Sequence, residues 1–183
     1  LATIPAAAIG ALFEDVIDSA LGTPLIIAIS LILFGILLGW ADRLAGDREL
    51  EGFGAGDALK VGAAQALALN PGTSRSGITI TAARWLGFNR DAAARISFVM
   101  SIPVIAGAVV VKSVGVFTGE VDSDLYVPML VGIVTSGISG WIAVWGTLRL
   151  IRTRSFMPFV YYRIGLGLFV LVLIATGVRD GSG

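Results

Sequence analysis

Apolar residues along this chain gather into four long blocks, over 24–41, 92–111, 125–148 and 159–177. About 20 residues at 1.5 Å each cover a ~30 Å hydrocarbon core, so each block predicts a membrane-crossing helix. A further apolar stretch over 1–13 reads as the last part of another such helix. The chain opens on Leu1 without a methionine, and the basic n-region of a signal peptide is absent. The expectation is a natural sequence whose amino-terminal part is missing.

Between residues 57 and 88 the pattern changes. Two apolar pieces, 58–69 and 76–86, are too short to cross a bilayer and are separated by the polar run Asn70-Pro71-Gly72-Thr73-Ser74-Arg75-Ser76-Gly77. Two half-helices can form one broken crossing or a re-entrant hairpin, and the positive-inside rule chooses between them. With a hairpin, Arg43, Arg48, Lys60, Arg84, Arg90, Arg95, Arg149, Arg152, Arg154 and Arg163 share one face. That is ten of the thirteen basic residues. The acidic stretches Glu14, Asp15, Asp18 and Glu120, Asp122, Asp124 fall on the other, with Lys112 and Arg179. A single crossing scatters the same charges over both faces. The pattern therefore predicts an all-α, polytopic membrane bundle, one integral domain over 1–183, with a re-entrant hairpin over 57–88 and the carboxyl terminus outside. Such hairpins commonly come in pairs related by an inverted repeat, and one is visible here.

Composition agrees. Hydrophobic residues make up 56% and charged residues 14%, against roughly 25% charged in soluble domains. Zero formal net charge gives no sign of a nucleic-acid partner. With neither cysteine nor histidine, the chain has no disulfide, no thiolate metal site and no imidazole base. Its chemistry must rest on oxygen, arginine and lysine.

The polar run supplies such chemistry. Pro71 and Gly72 end the incoming half-helix, and Thr73 and Ser74 can cap the outgoing one, leaving the first amides near Arg75, Ser76 and Gly77 open to an anion. Arg75 adds a fork of donors matched to phosphate, Ser74, Ser76 and Thr79 add hydroxyls, and Gly77 leaves room. An ionisable residue at membrane depth costs roughly 2.5–3.5 kcal/mol on insertion scales, which makes Arg75 a functional candidate. A packing break with Arg75 neutralised by carbonyls is the plainer alternative. Gln65, a lone polar residue before the break, is either a partner of the tip or an interhelical hydrogen bond.

The segments ALALNPGTSRSGITI, RISFVMSIPVIAGA, IPAAAIGALFED and SFMPFVYYRI resemble the undecaprenyl pyrophosphate phosphatases, the BacA/UppP family, over essentially the whole chain. The resemblance implies an enzyme of the plasma membrane that removes the terminal phosphate of a polyprenyl diphosphate and recycles the lipid carrier for envelope glycan assembly. It places Ser74, Arg75 and Ser76 in the phosphate-binding loop with Thr79 close behind, Arg75 and Ser74 being the catalytic candidates, and the adjoining Gly72, Thr73 and Gly77 complete the expected diphosphate-binding turn. It also implies a divalent cation, Mg2+ or Ca2+, held by a glutamate pair in a first motif that this sequence lacks, so no metal ligand is assigned in the chain. A fragment without its amino-terminal repeat is expected to be inactive alone. Expected partners are the lipid substrate, the bilayer and, as an open option, a second copy in a homodimer. A transporter or flippase for a phosphorylated lipid is the competing reading, since hairpins of this kind also build transporters.

Remaining polar clusters have plainer readings. Arg84, Arg90, Asp91 and Arg95 read as a solvated loop that sets topology, and Arg149, Arg152 and Arg154 as its counterpart. Trp40, Trp141, Trp145, Tyr161 and Tyr162 read as interfacial anchors. Gly35, Gly107, Gly132, Gly137, Gly140 and Gly165 read as close helix contacts.

Overall fold

A computed structural model describes residues 2–4, 6, 9, 21–117, 123–153 and 155–178. Most of the predicted helix over 1–13, together with Glu14, Asp15, Asp18, Glu120, Asp122, Arg154 and Arg179, lies outside the described residues. Among the described residues the regular elements are helical: α1 Pro24–Arg43, α2 Ala55–Gln65, α3 Arg75–Trp85, α4 Arg90–Phe117, α5 Tyr126–Thr153 and α6 Met157–Ala175. Helices α1, α4, α5 and α6 are long and apolar enough to cross a membrane. Their outward faces carry large apolar side chains such as Leu33, Ile36, Val110, Ile133 and Phe169, and residues 124–145 are exposed without exception. Apolar surface on this scale is a bilayer-facing surface, and the protein is a polytopic helical membrane protein.

Local chemistry fixes the ends. Thr23 Oγ1 accepts from the Ile26 amide at 3.4 Å, and Pro24 occupies the first turn of α1, where its missing amide hydrogen costs nothing. Helix α3 stops in a Schellman arrangement, with the Phe88 amide on Ala83 O and the Gly87 amide on Arg84 O. That stop needs the positive φ of Gly87, 85°. Asn89 Oδ1 then accepts from the Ala92 amide at 2.8 Å and opens α4.

Helices α2 and α3 form a hairpin. Its open end is held by Arg48, whose guanidinium reaches Asp57 Oδ2 in the first turn of α2 (2.7 Å) and Leu86 O after the last turn of α3 (2.8 Å). The same guanidinium stacks over Phe88, 4.1 Å from the ring centroid. Its hydrogen bond holds the Asp57 carboxyl below the usual carboxylate range, against a smaller opposing effect of burial. Each arm has 11 residues, roughly 16 Å of helix, about half a bilayer core.

The core gathers where α3 and α4 meet α1 and α6, around Leu38, Ile80, Phe88, Ile96, Phe156 and Val160. Helices α1 and α6 pack closely through glycine: Gly35 faces Ile164 and Arg163, Gly39 faces Val160, and Gly167 faces Ile32. Of the glycines expected at helix contacts, only Gly35 sits at one among the described residues. A methyl group added at Gly107, Gly132, Gly137, Gly140 or Gly165 would meet nothing within 4 Å among the described residues.

Candidate functional site at the hairpin tip

The closed end of the hairpin is built from short-range bonds. After α2 a 3-10 turn over Ala66–Leu69 leads to Asn70, whose side-chain amide donates to Thr73 Oγ1 (3.2 Å) and to Ser30 Oγ on α1 (2.8 Å). Gly72 takes φ 87° against the backbone of Ile27, a conformation and a closeness that a side chain would forbid. Ser74 caps α3, its Oγ accepting from the Gly77 amide at 3.3 Å. The amides of Arg75 and Ser76 have no acceptor among the described residues. Ser74 itself lies at φ 68°, ψ 112°, a strained conformation for a residue with a side chain.

Ser74 and Ser76 are exposed with hydroxyls 3.5 Å apart, and Gly77 is buried beside them. Arg75 is half-buried and makes no hydrogen bond or ion pair among the described residues. Thr73 is fully buried and contributes its carbonyl. Thr79 is buried too: its hydroxyl donates to Arg75 O (2.9 Å) and lies 2.7 Å from Ser97 Oγ on α4. That engagement makes it a brace of the first turn of α3. Gln65 is buried at the end of α2, about two turns before Pro71, and its amide makes no hydrogen bond among the described residues.

Sequence reasoning missed Arg163. Grouped there with the surface arginines, it is instead 6% exposed, and its Nη2 donates to Gly72 O (2.8 Å) and Thr73 O (2.6 Å) across 91 and 90 residues of chain. Its Nε and Nη1 are buried without a partner. The signal was available: Arg163 is the seventh residue of an apolar helix, and an ionisable group at that depth is a candidate on the same physical ground as Arg75. A second correction concerns Arg84, read as part of a solvated loop. It is 3% exposed and bonds to the carbonyls of Leu44 and Phe88.

A cavity of about 330 Å³ opens beside the tip. Ser74, Ser76, Gly77 and Arg163 form its polar end, and side chains including Leu31, Phe98, Phe159 and Tyr162 form an apolar remainder. Arg75 does not line this cavity but stands at the same helix start. The donors on offer, two guanidiniums, two hydroxyls and open helix amides, suit an anion with several oxygens. They do not suit a divalent cation. Among the described residues no three carboxylates gather, and Asp42, Asp57 and Asp91 are each paired with an arginine.

The family model described as bacitracin resistance protein BacA matches residues 1–169. A protein of Geotalea daltonii named undecaprenyl-diphosphatase is 46% identical over 178 residues, covering 96% of this chain and 66% of the relative. Proteins of the same name from Elusimicrobium minutum and Pelobacter propionicus are 42% and 44% identical, covering 94% and 96% of this chain and 65% of each relative. The chain spans about two thirds of the length of these curated relatives.

Proposed function

Since the chain belongs to the BacA bacitracin resistance family, we propose that its hairpin tip is the phosphate-binding part of a membrane phosphatase acting on a polyprenyl diphosphate such as undecaprenyl diphosphate. The observation that carries this reading is the pair of arginines at one helix start, Arg75 without a partner and Arg163 with two unpartnered buried nitrogens, beside an apolar cavity.

The reaction breaks the bond between the terminal phosphorus and the bridging oxygen; water supplies the new oxygen, and inorganic phosphate leaves the lipid monophosphate. Charge is spread over the terminal oxygens and the leaving oxygen in the transition state, so positioning and electrostatics dominate. Arg75 and the open amides of Arg75 and Ser76 bind the terminal phosphoryl oxygens, where donors fixed in advance cost no reorganisation. Arg163 fixes the turn through the Gly72 and Thr73 carbonyls and directs its free nitrogens at the same diphosphate. Ser74 and Ser76 orient the oxygens further, and Thr79 braces their turn. The apolar cavity receives the first part of the lipid chain. No side chain of this segment is assigned the role of nucleophile or base.

Orientation follows from charge. With Arg163 removed from the flanking set, Arg43, Arg48, Arg90, Arg95 and Arg149 still lie toward the open end of the hairpin or at helix ends. Trp40 and Trp85, edge to face at 5.3 Å, lie at the same level. This supports a multi-pass protein of the plasma membrane with the hairpin base toward the cytoplasm and the carboxyl terminus outside.

The test is phosphate release from a polyprenyl diphosphate in detergent, by this chain alone and by a full-length relative carrying this chain's hairpin. Release by the full-length form, lost in Arg75→Ala and only partly restored in Arg75→Lys, supports the reading. Near-normal turnover in Arg75→Ala contradicts the clamp, and lipid binding without release in every form replaces the phosphatase by a carrier of phosphorylated lipid.

A further inference from the structure

At the opposite end of the hairpin lies a larger cavity of about 670 Å³, lined among others by Asp42, Arg43, Arg84, Asn89, Arg90 and Asp91. Among the described residues it shares only Ile151 with the lining of the tip cavity.

Its carboxylates are committed. Asp42 is 3% exposed; one oxygen accepts from Arg90 Nε at 2.6 Å and the other from the Phe156 amide at 3.3 Å. Asp91 accepts from Arg95 Nε at 2.6 Å. Of its arginines, Arg90 is thus paired, whereas Arg43 and Arg84 meet no carboxylate among the described residues. Arg84, 3% exposed, spends its terminal nitrogens on backbone carbonyls of Asp42, Leu44 and Phe88, and its buried Nε has no partner. Arg43 is exposed and makes no hydrogen bond or ion pair among the described residues. Two guanidiniums, one exposed and one buried, therefore line one cavity with no carboxylate of their own among the described residues. For the buried Arg84, carbonyl dipoles satisfy the terminal nitrogens but bring no opposite formal charge. A multivalent oxyanion supplies that charge, and arginine's planar donor fork favours phosphate.

We propose that this basal cavity is a second anion site, separate from the tip, which binds a phosphate group at the membrane surface through Arg43 and Arg84. The phosphate belongs either to the headgroup of an anionic lipid or to free inorganic phosphate. Either source is abundant at a cytoplasmic membrane face, where basic residues meet anionic headgroups. The site stands whatever reaction the tip performs.

Arginine modification by phenylglyoxal, read by peptide mass mapping on the full chain in detergent, follows Arg43 directly. Four probes are compared at equal ionic strength: sodium chloride, sodium phosphate, dihexanoyl phosphatidylglycerol and dihexanoyl phosphatidylcholine. Phosphate or phosphatidylglycerol is expected to slow modification of Arg43 roughly tenfold relative to chloride, the worth of about one hydrogen bond to a charged group. Protection by phosphatidylglycerol alone identifies a headgroup, and protection by both probes admits free phosphate. Arg84→Lys, which keeps the charge and loses Nε, is expected to remove that protection. Should that variant not fold, Arg43→Gln is read instead by native mass spectrometry, where roughly tenfold weaker retention of the protecting probe is expected. Arg75→Gln must leave Arg43 protection intact, which separates this site from the tip. Equal modification rates in chloride, phosphate and phosphatidylglycerol, or equal protection by phosphatidylcholine, overturn the proposal.

Discussion

A methyl group added at Gly77 tests whether Arg163 truly holds the tip. The new carbon would lie 2.5 Å from Arg163 Nη1 and 3.3 Å from Ser74 Oγ. Ordinary non-bonded contact needs about 3.5 Å, so the guanidinium must retreat by roughly 1 Å. Its Nη2 bonds to Gly72 O and Thr73 O, now 2.8 and 2.6 Å, then pass beyond useful length. Two hydrogen bonds from a charged donor are worth about 3–6 kcal/mol together, at about 1.5–3 each. Against this, alanine gains about 1 kcal/mol over glycine inside a helix. Gly77→Ala is therefore expected to destabilise by about 2–5 kcal/mol, where helix propensity alone gives a small stabilisation. Thermal unfolding in detergent measures it, in a double-mutant cycle with Arg163→Leu. In the Arg163→Leu background the cost of Gly77→Ala should vanish. A wild-type melting temperature or higher for the single Gly77→Ala variant would refute the tie between α6 and the hairpin.

Three further outcomes are expected. Ser74→Gly relieves a strained backbone worth about 1–3 kcal/mol and loses only a few tenths in capping, so chemical denaturation should show a gain near 1 kcal/mol together with weaker phosphate binding; lower stability would contradict the strain. Thr79→Val leaves the buried Ser97 hydroxyl without its partner and should cost about 1–3 kcal/mol, whereas Thr79→Ser should stay close to wild type in the same unfolding assay. Asp57 has a folded-state pKa below its usual value, so its contribution is present above about pH 4 and disappears as pH falls through the lowered value. The stability difference between wild type and Asp57→Asn should accordingly shrink on acidification, and a difference that does not change with pH would dismiss the Arg48 pairing as its cause.

Membrane crossings and the tip were legible because their signals are local. Long apolar blocks give spans by length, and a Pro-Gly break followed by Ser-Arg-Ser gives a capped helix start whatever surrounds it. Arg163 and Arg84 were not legible in the same way. Both stand near chain segments rich in arginine, and the positive-inside count assigns every such residue to a surface. Their true settings depend on carbonyls exposed by glycine turns elsewhere: Gly72 for Arg163, and the loop after α1 with the Schellman stop at Gly87 for Arg84. Burial of an arginine by backbone carbonyls leaves no acidic partner in the sequence to point at it. The glycines failed for a related reason. A glycine marks a contact only when a neighbour arrives, and α6 arrives at α1 while residues 124–145 stay uncovered.

The bond from Arg163 to the Gly72 and Thr73 carbonyls also sets an order of events during biosynthesis. The loop leaves the ribosome first, and its brace follows 91 residues later. At roughly 5–20 residues per second that is an interval on the order of 5–20 s. During it the hairpin has its own turn bonds and its Arg48 clasp but lacks the guanidinium that completes the tip. The complete tip thus forms late in translation, with the docking of the last described helix, and a nascent or prematurely ended chain inserts in the membrane without it.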